Sequence, residues 1–72
     1  MTSTVQLLDM VAIIADLPGA GLLRGQVGTI VEALAPDVYE VEFSDDEGRT
    51  YAQAALRKDQ LLVLKYQPLK AA

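Results

Sequence analysis

Between residues 38 and 43 polar and apolar positions alternate without a break. Tyr39, Val41 and Phe43 fall on one side, Glu40 and Glu42 on the other. Period two marks a strand with one buried and one wet face. Val, Tyr and Phe also suit a pleated, half-buried surface. Residues 28–34 form a second β-rich run. Its alternation is imperfect: Ile30 and Val31 are adjacent, and a strict pleat cannot bury both against one core. The pattern therefore predicts a bulge or sharp coil within residues 31–33. Ala35-Pro36-Asp37 lies between the two runs. Pro36 pre-sets φ for a turn and Asp37 can bond its own backbone, so the runs read as a hairpin closed by a three-residue turn.

The flanking chain follows the same reasoning. Leu7, Leu8, Val11 and Ile14 have helical spacing, but residues 10–15 are continuously apolar and rich in β-branched side chains. Leu17-Pro18-Gly19 ends that run abruptly, so a buried strand is predicted over about 9–15, after a short lead-in turn. Residues 16–23 are read as a loop, because Pro18, Gly19 and Gly21 oppose regular structure. Leu22 and Leu23 are apolar for a loop, and at least one is expected in the core. Ser-Asp-Asp-Glu-Gly at 44–48 reads as an acidic hairpin turn, with Gly48 at its positive-φ position. Its carboxylates do not have the spacing of a calcium-binding loop. Residues 49–54 form the next strand, with Thr50, Ala52 and Ala54 on one face and Tyr51 and Gln53 on the other. Residues 56–60 suit one helical turn, and residues 61–64 a last short strand. The ordered core is expected to run from about 7 to 65, with a frayed start and a C-terminal tail.

Composition narrows the chemistry. Seventy-two residues allow one domain, and a core of that size is marginal. With no Cys, disulfides and thiolate metal sites are excluded; with no His, the commonest general base and zinc ligand are missing too. No catalytic residue, cofactor or metal is predicted, and an enzyme is not expected. No apolar run approaches the roughly twenty residues of a membrane helix, and no basic stretch precedes the first apolar segment. A cytoplasmic protein that does not enter the membrane is expected.

The net charge of −4 argues against nucleic acid. Asp37, Glu40, Glu42, Asp45, Asp46 and Glu47 form a block with no basic residue among them, whereas Arg57, Lys58, Lys65 and Lys70 carry most of the positive charge. Such a surface either keeps a small domain soluble or orients a basic partner. With 51% apolar residues, the chain is also expected to have more hydrophobic surface than its core hides, which favours a homo-oligomer. The residues singled out for a partner or oligomer surface are Asp16, Arg24, Val31, Glu40, Glu42, Tyr51 and Tyr66.

The order strand, long Gly/Pro loop, strand, turn, strand, turn, strand, helical turn, short strand is similar to a five-stranded SH3-like barrel. Its hallmark is the single helical turn before the last strand. Arg24-Gly-Gln-Val-Gly-Thr-Ile-Val resembles the glycine-rich entry of KOW modules, which implies an RNA- or ribosome-associated role, but the basic surface of those modules is missing here. Leu7-Leu8-Asp9-Met10-Val11-Ala12, Asp16-Leu17-Pro18, Gly21-Leu22, the Arg24–Glu32 stretch, Tyr39-Glu-Val-Glu-Phe, Gly48-Arg-Thr and Asp59-Gln-Leu-Leu, in that order, resemble a bacterial family known only as a domain of unknown function. Its members are stand-alone proteins of about this length. The resemblance implies an SH3-like barrel and no established activity. An SH3-like dihydrofolate reductase carries Val-Gln-Ile-Tyr in a late strand, and the comparable Thr50-Tyr51-Ala52-Gln53 does not match it. The functional expectation is therefore an acidic protein-interaction module.

Overall fold

The computed structural model describes residues 5–65. They form five strands, β1 (Met10–Ile13), β2 (Val27–Ala35), β3 (Val38–Ser44), β4 (Thr50–Arg57) and β5 (Leu61–Val63), with 3-10 turns at Pro18–Ala20 and Lys58–Gln60. All pairings are antiparallel, in the order β4-β3-β2-β1-β5. The fold is all-β, with the expected strand count and a single 3-10 turn before the last strand. No helix among the described residues is long and apolar enough to cross a membrane.

One face of the sheet curls around the core. Val11 and Ile13 of β1, Ile30 of β2, Val41 and Phe43 of β3 and Leu56 of β4 are buried there, joined by Val5 and the loop residue Leu22. Leu61 and Val63 of β5 and Ala52 and Ala54 of β4 pack against this cluster from the two ends of the sheet. The alternation of residues 38–43 is as expected: Val41 and Phe43 are sealed, Tyr39 packs on the core, and Glu40 and Glu42 lie on the outer face.

The widest core residue depends on the smallest one. Gly28 lies opposite Phe43, next to the Thr29–Glu42 pair. A methyl group at Gly28 would stand 2.7 Å from Val41 Cγ1, 2.9 Å from the Glu42 carbonyl and 3.0 Å from the Phe43 ring. Glycine is needed there for close approach rather than for an unusual φ. Gly25, by contrast, has φ +92°, at the sharp entry to β2.

The irregularities of the hairpin also follow the sequence. The β2–β3 register shifts between Ile30 and Glu32, so Val31 is the extra residue of a bulge. That is how adjacent Ile30 and Val31 are accommodated: Ile30 is buried and Val31 is exposed. A second shift, between Ala33 and Ala35, lies just before the turn. Ala35 is the last residue of β2, so Pro36-Asp37 makes a two-residue turn instead of the expected three. Asp37 takes φ 62°, which Asp tolerates better than most residues.

The 16–23 loop is more ordered than its glycines suggest. Leu17 and Leu22 exchange backbone hydrogen bonds of 2.8 and 3.1 Å across the first 3-10 turn, and Gly21 (φ 71°) closes it. The loop thereby drives Leu22 into the core, while Leu23 stays exposed. At the other end, the Lys58 N–H donates to the Asp37 carbonyl at 2.8 Å, tying the second 3-10 turn to the β2–β3 turn.

Gly28→Ala should destabilise the protein by about 1–3 kcal/mol through overpacking. Phe43→Ala should cost about 3–5 kcal/mol through the cavity it leaves. Urea unfolding of both variants measures these values. A Gly28→Ala protein as stable as the parent would show that β2 and β3 are not this close.

Candidate functional site

The outer face of the sheet carries two of the predicted candidates, Glu40 and Glu42. Pairing registers place Leu62, Ala12 and Val27 side by side across β5, β1 and β2. Their neighbours Val11 and Ile13 point into the core, so these three point out. Leu62 is 56% exposed and Val27 38%. Ile14, just past the end of β1, is 48% exposed. On the other side of Ala12 lies Met10, partly covered, with the Thr29 hydroxyl 3.2 Å from its Sδ.

The β3 side of this face is acidic. Glu42 stands beside Thr29 and accepts a hydrogen bond from Gln53 Nε2 at 3.1 Å. Beyond the bulge, Glu32 and Glu40 stand directly opposite each other. Like charges directly across a ladder destabilise a sheet. Among the described residues, the ion pairs are Arg49–Glu47 (2.7 Å) and Arg57–Asp59 (3.1 Å), both exposed, so none neutralises this strip. The outer face is thus aliphatic toward β5 and anionic toward β3.

Asp16, Arg24 and Tyr51 have local structural partners. Asp16 Oδ1 accepts the Arg24 backbone N–H at 2.8 Å, so these two residues pin the neck of the 16–23 loop. Tyr51 is the extra residue of a β3–β4 bulge, beside Phe43 and Ser44. Its ring centre is 6.3 Å from that of Phe43, and its hydroxyl accepts a hydrogen bond from Gln26 Nε2 at 3.0 Å. It is 48% exposed yet serves as a strap over the rim of the core. Tyr66 lies outside the described residues. In the acidic turn, Asp45 Oδ1 accepts the N–H groups of Glu47 and Arg49, both at 2.9 Å. That carboxylate shapes a turn, and no group of acidic residues among those described has the geometry to hold a metal.

An open concavity of about 440 Å³ lies between Pro36, Asp37, Val38, Arg57, Lys58 and Asp59. Its two carboxylates face two cations, and Arg57 is already paired with Asp59. It gathers neither a net charge nor a nucleophile with a base. The aliphatic row, by contrast, was missed in the sequence. Ala12, Val27 and Leu62 lie far apart along the chain, and only strand register unites them.

The fold and surface define a small all-β domain with a two-part outer face. The chain belongs to the family described as Domain of unknown function (DUF4926), whose model matches residues 7–63. Comparison with curated proteins and with solved structures found no match.

Glu40→Gln should stabilise the protein by a few tenths of a kcal/mol, up to about 1 kcal/mol, by removing the clash with Glu32. The gain should shrink in high salt. Thermal melts at low and high ionic strength check it; no gain at low salt would mean the two carboxylates avoid each other.

Proposed function

We propose that this chain is a small acidic protein-interaction module on an SH3-like barrel, binding a protein partner rather than catalysing a reaction. The observation that supports it most is the outer face, which carries exposed Leu62 and Val27 on one row and Glu42, Glu40 and Glu32 on the rows toward the β2–β3 turn. Single exposed aliphatics are ordinary, but aligned ones on the same face as unneutralised carboxylates suit contact with another protein. The SH3-like reading draws on the strand order and on the 3-10 turn before β5. Self-association through the exposed bulge residue Val31 belongs to the same reading.

The RNA-binding alternative has less support. In the KOW-like stretch, Gly28 is explained by Phe43 and Gly25 by the turn into β2, so neither glycine calls for a nucleic acid. Phosphate binding also needs clustered cations, and the strip beside this hairpin is anionic. For the reductase reading, Tyr51 and Gln53 hold local hydrogen bonds, to Gln26 and Glu42.

Crosslinking of the tagged chain in its native host, followed by purification under denaturing conditions, should recover one protein in near-stoichiometric yield. Recovery of no protein, or steep salt-dependent binding to RNA in a gel shift, would overturn the proposal.

A further inference from the structure

The two end strands of the sheet are not alike. β5, at one end, is three residues long. β4, at the other, runs for eight residues without Pro or Gly, and residues 50–56 carry no charge. Proteins usually blunt an edge strand by shortness, Lys, Pro or a bulge. Here the bulge at Tyr51 disturbs only the start of β4, and residues 52–57 pair regularly with β3.

One hydrogen bond fixes which backbone groups face outward. The Lys58 N–H donates to the Asp37 carbonyl, one step beyond the Val38–Arg57 pair of the same ladder. Hydrogen-bonded pairs alternate along an antiparallel ladder. Counting back by two, Leu56, Ala54 and Ala52 turn their N–H and C=O groups toward β3, while Gln53, Ala55 and Arg57 turn theirs away. The Arg57 N–H already donates to Gln60 Oε1 at 2.9 Å. Gln53 and Ala55 remain, and among the described residues no backbone partner meets them on that side.

That pattern is its own complement. A second β4, antiparallel about a twofold axis at Ala54, sets Gln53 of each copy against Ala55 of the other. Each of these pairs exchanges two backbone hydrogen bonds. A shift of two residues either way sets Gln53 or Ala55 against itself and turns the other toward Tyr51 or Arg57, where the bulge or Gln60 spoils the pair. At the axis Ala54 meets Ala54, and the small side chain permits the close approach, about 4.5 Å between Cα atoms, of a non-hydrogen-bonded pair. The same contact extends the cover over Ala52 and Ala54, which are only partly buried. Charge permits it, although each copy carries a net −4. Glu40 and Glu42 lie on β3, so the two anionic strips stay three strand spacings apart, about 14 Å. That exceeds the screening length of about 8–10 Å.

We propose that this chain forms a twofold dimer by joining the free edges of two β4 strands, Gln53 against Ala55, into one continuous sheet. This deepens the self-association in the reading above and gives it a backbone contact in place of Val31. The outer face stays open, so a protein partner and a second copy do not compete. Residues 52–56 bury less than the roughly 1,200 Å² of a stable interface, so the dimer dissociates on dilution.

Sedimentation equilibrium of the full chain should show monomer at about 10 µM and mostly dimer by about 1 mM. Over that range, hydrogen exchange at the Gln53 and Ala55 amides should slow at least threefold, while Ala52 and Ala54, already bonded to β3, change little. Ala55→Pro removes an outward N–H and takes nothing from the β3 ladder, so it should abolish the dimer. Ala55→Lys, on the exposed outer face, should weaken it at least tenfold and carries the test if the Pro variant fails to fold. Leu34→Lys, at the far end of β2, should leave it unchanged. Amide dispersion reports the folding of each variant.

A monomer throughout the range overturns the proposal. So does slow exchange at Gln53 and Ala55 that ignores concentration, which would mean that the chain's own termini cover the edge. A dimer that Val31→Lys dissolves and the Ala55 variants leave intact overturns it too, while keeping self-association. If crosslinking still recovers a partner protein from a chain that stays monomeric, the interaction-module reading stands and this edge contact falls.

Discussion

The close approach of β2 and β3 at Gly28 is the constraint on which the rest depends. Phe43, the chain's one phenylalanine, needs room above the backbone of the neighbouring strand. Because Gly28 presents no side chain, the ring lies across the middle of the sheet with Val11 on the far side. A marginal core of this size cannot spare its largest member. Seating Phe43 inward also fixes the opposite face: every residue one step away, Glu42 included, must point to water.

Both bulges are responses to that register. At Val31 an extra residue lets Ile30 stay buried and resets the pleat, which brings Glu32 opposite Glu40. At Tyr51 an extra residue swings the ring back toward Phe43, where Gln26 holds its hydroxyl. The first bulge concentrates negative charge on the outer face. The second takes a large aromatic away from that face and uses it to cover the rim. The outer face is therefore aliphatic and anionic rather than aromatic.

Glu32 and Glu40 thus meet across β2 and β3 on the same outer face that carries exposed Leu62 and Val27. The turns, meanwhile, are closed from within: Asp16, Asp45 and Gln60 each accept nearby backbone N–H groups.

Local chemistry alone determined much of this. Period two in 38–43, the broken alternation at Ile30-Val31, the turn residues Pro36, Asp37 and Gly48, and the late 3-10 turn were all legible, because each depends on neighbours within a few residues. Glu40 and Glu42 were placed outside for the same reason. The Glu32–Glu40 clash, the row of Leu62, Ala12 and Val27, the need for Gly28 under Phe43 and the strap from Tyr51 to Gln26 were not legible. Each joins residues from different strands, and a one-residue change of register would dissolve every one of them. The sequence by itself specified which segments are strands and which side of each is wet; only the folded sheet decided which wet sides lie next to one another.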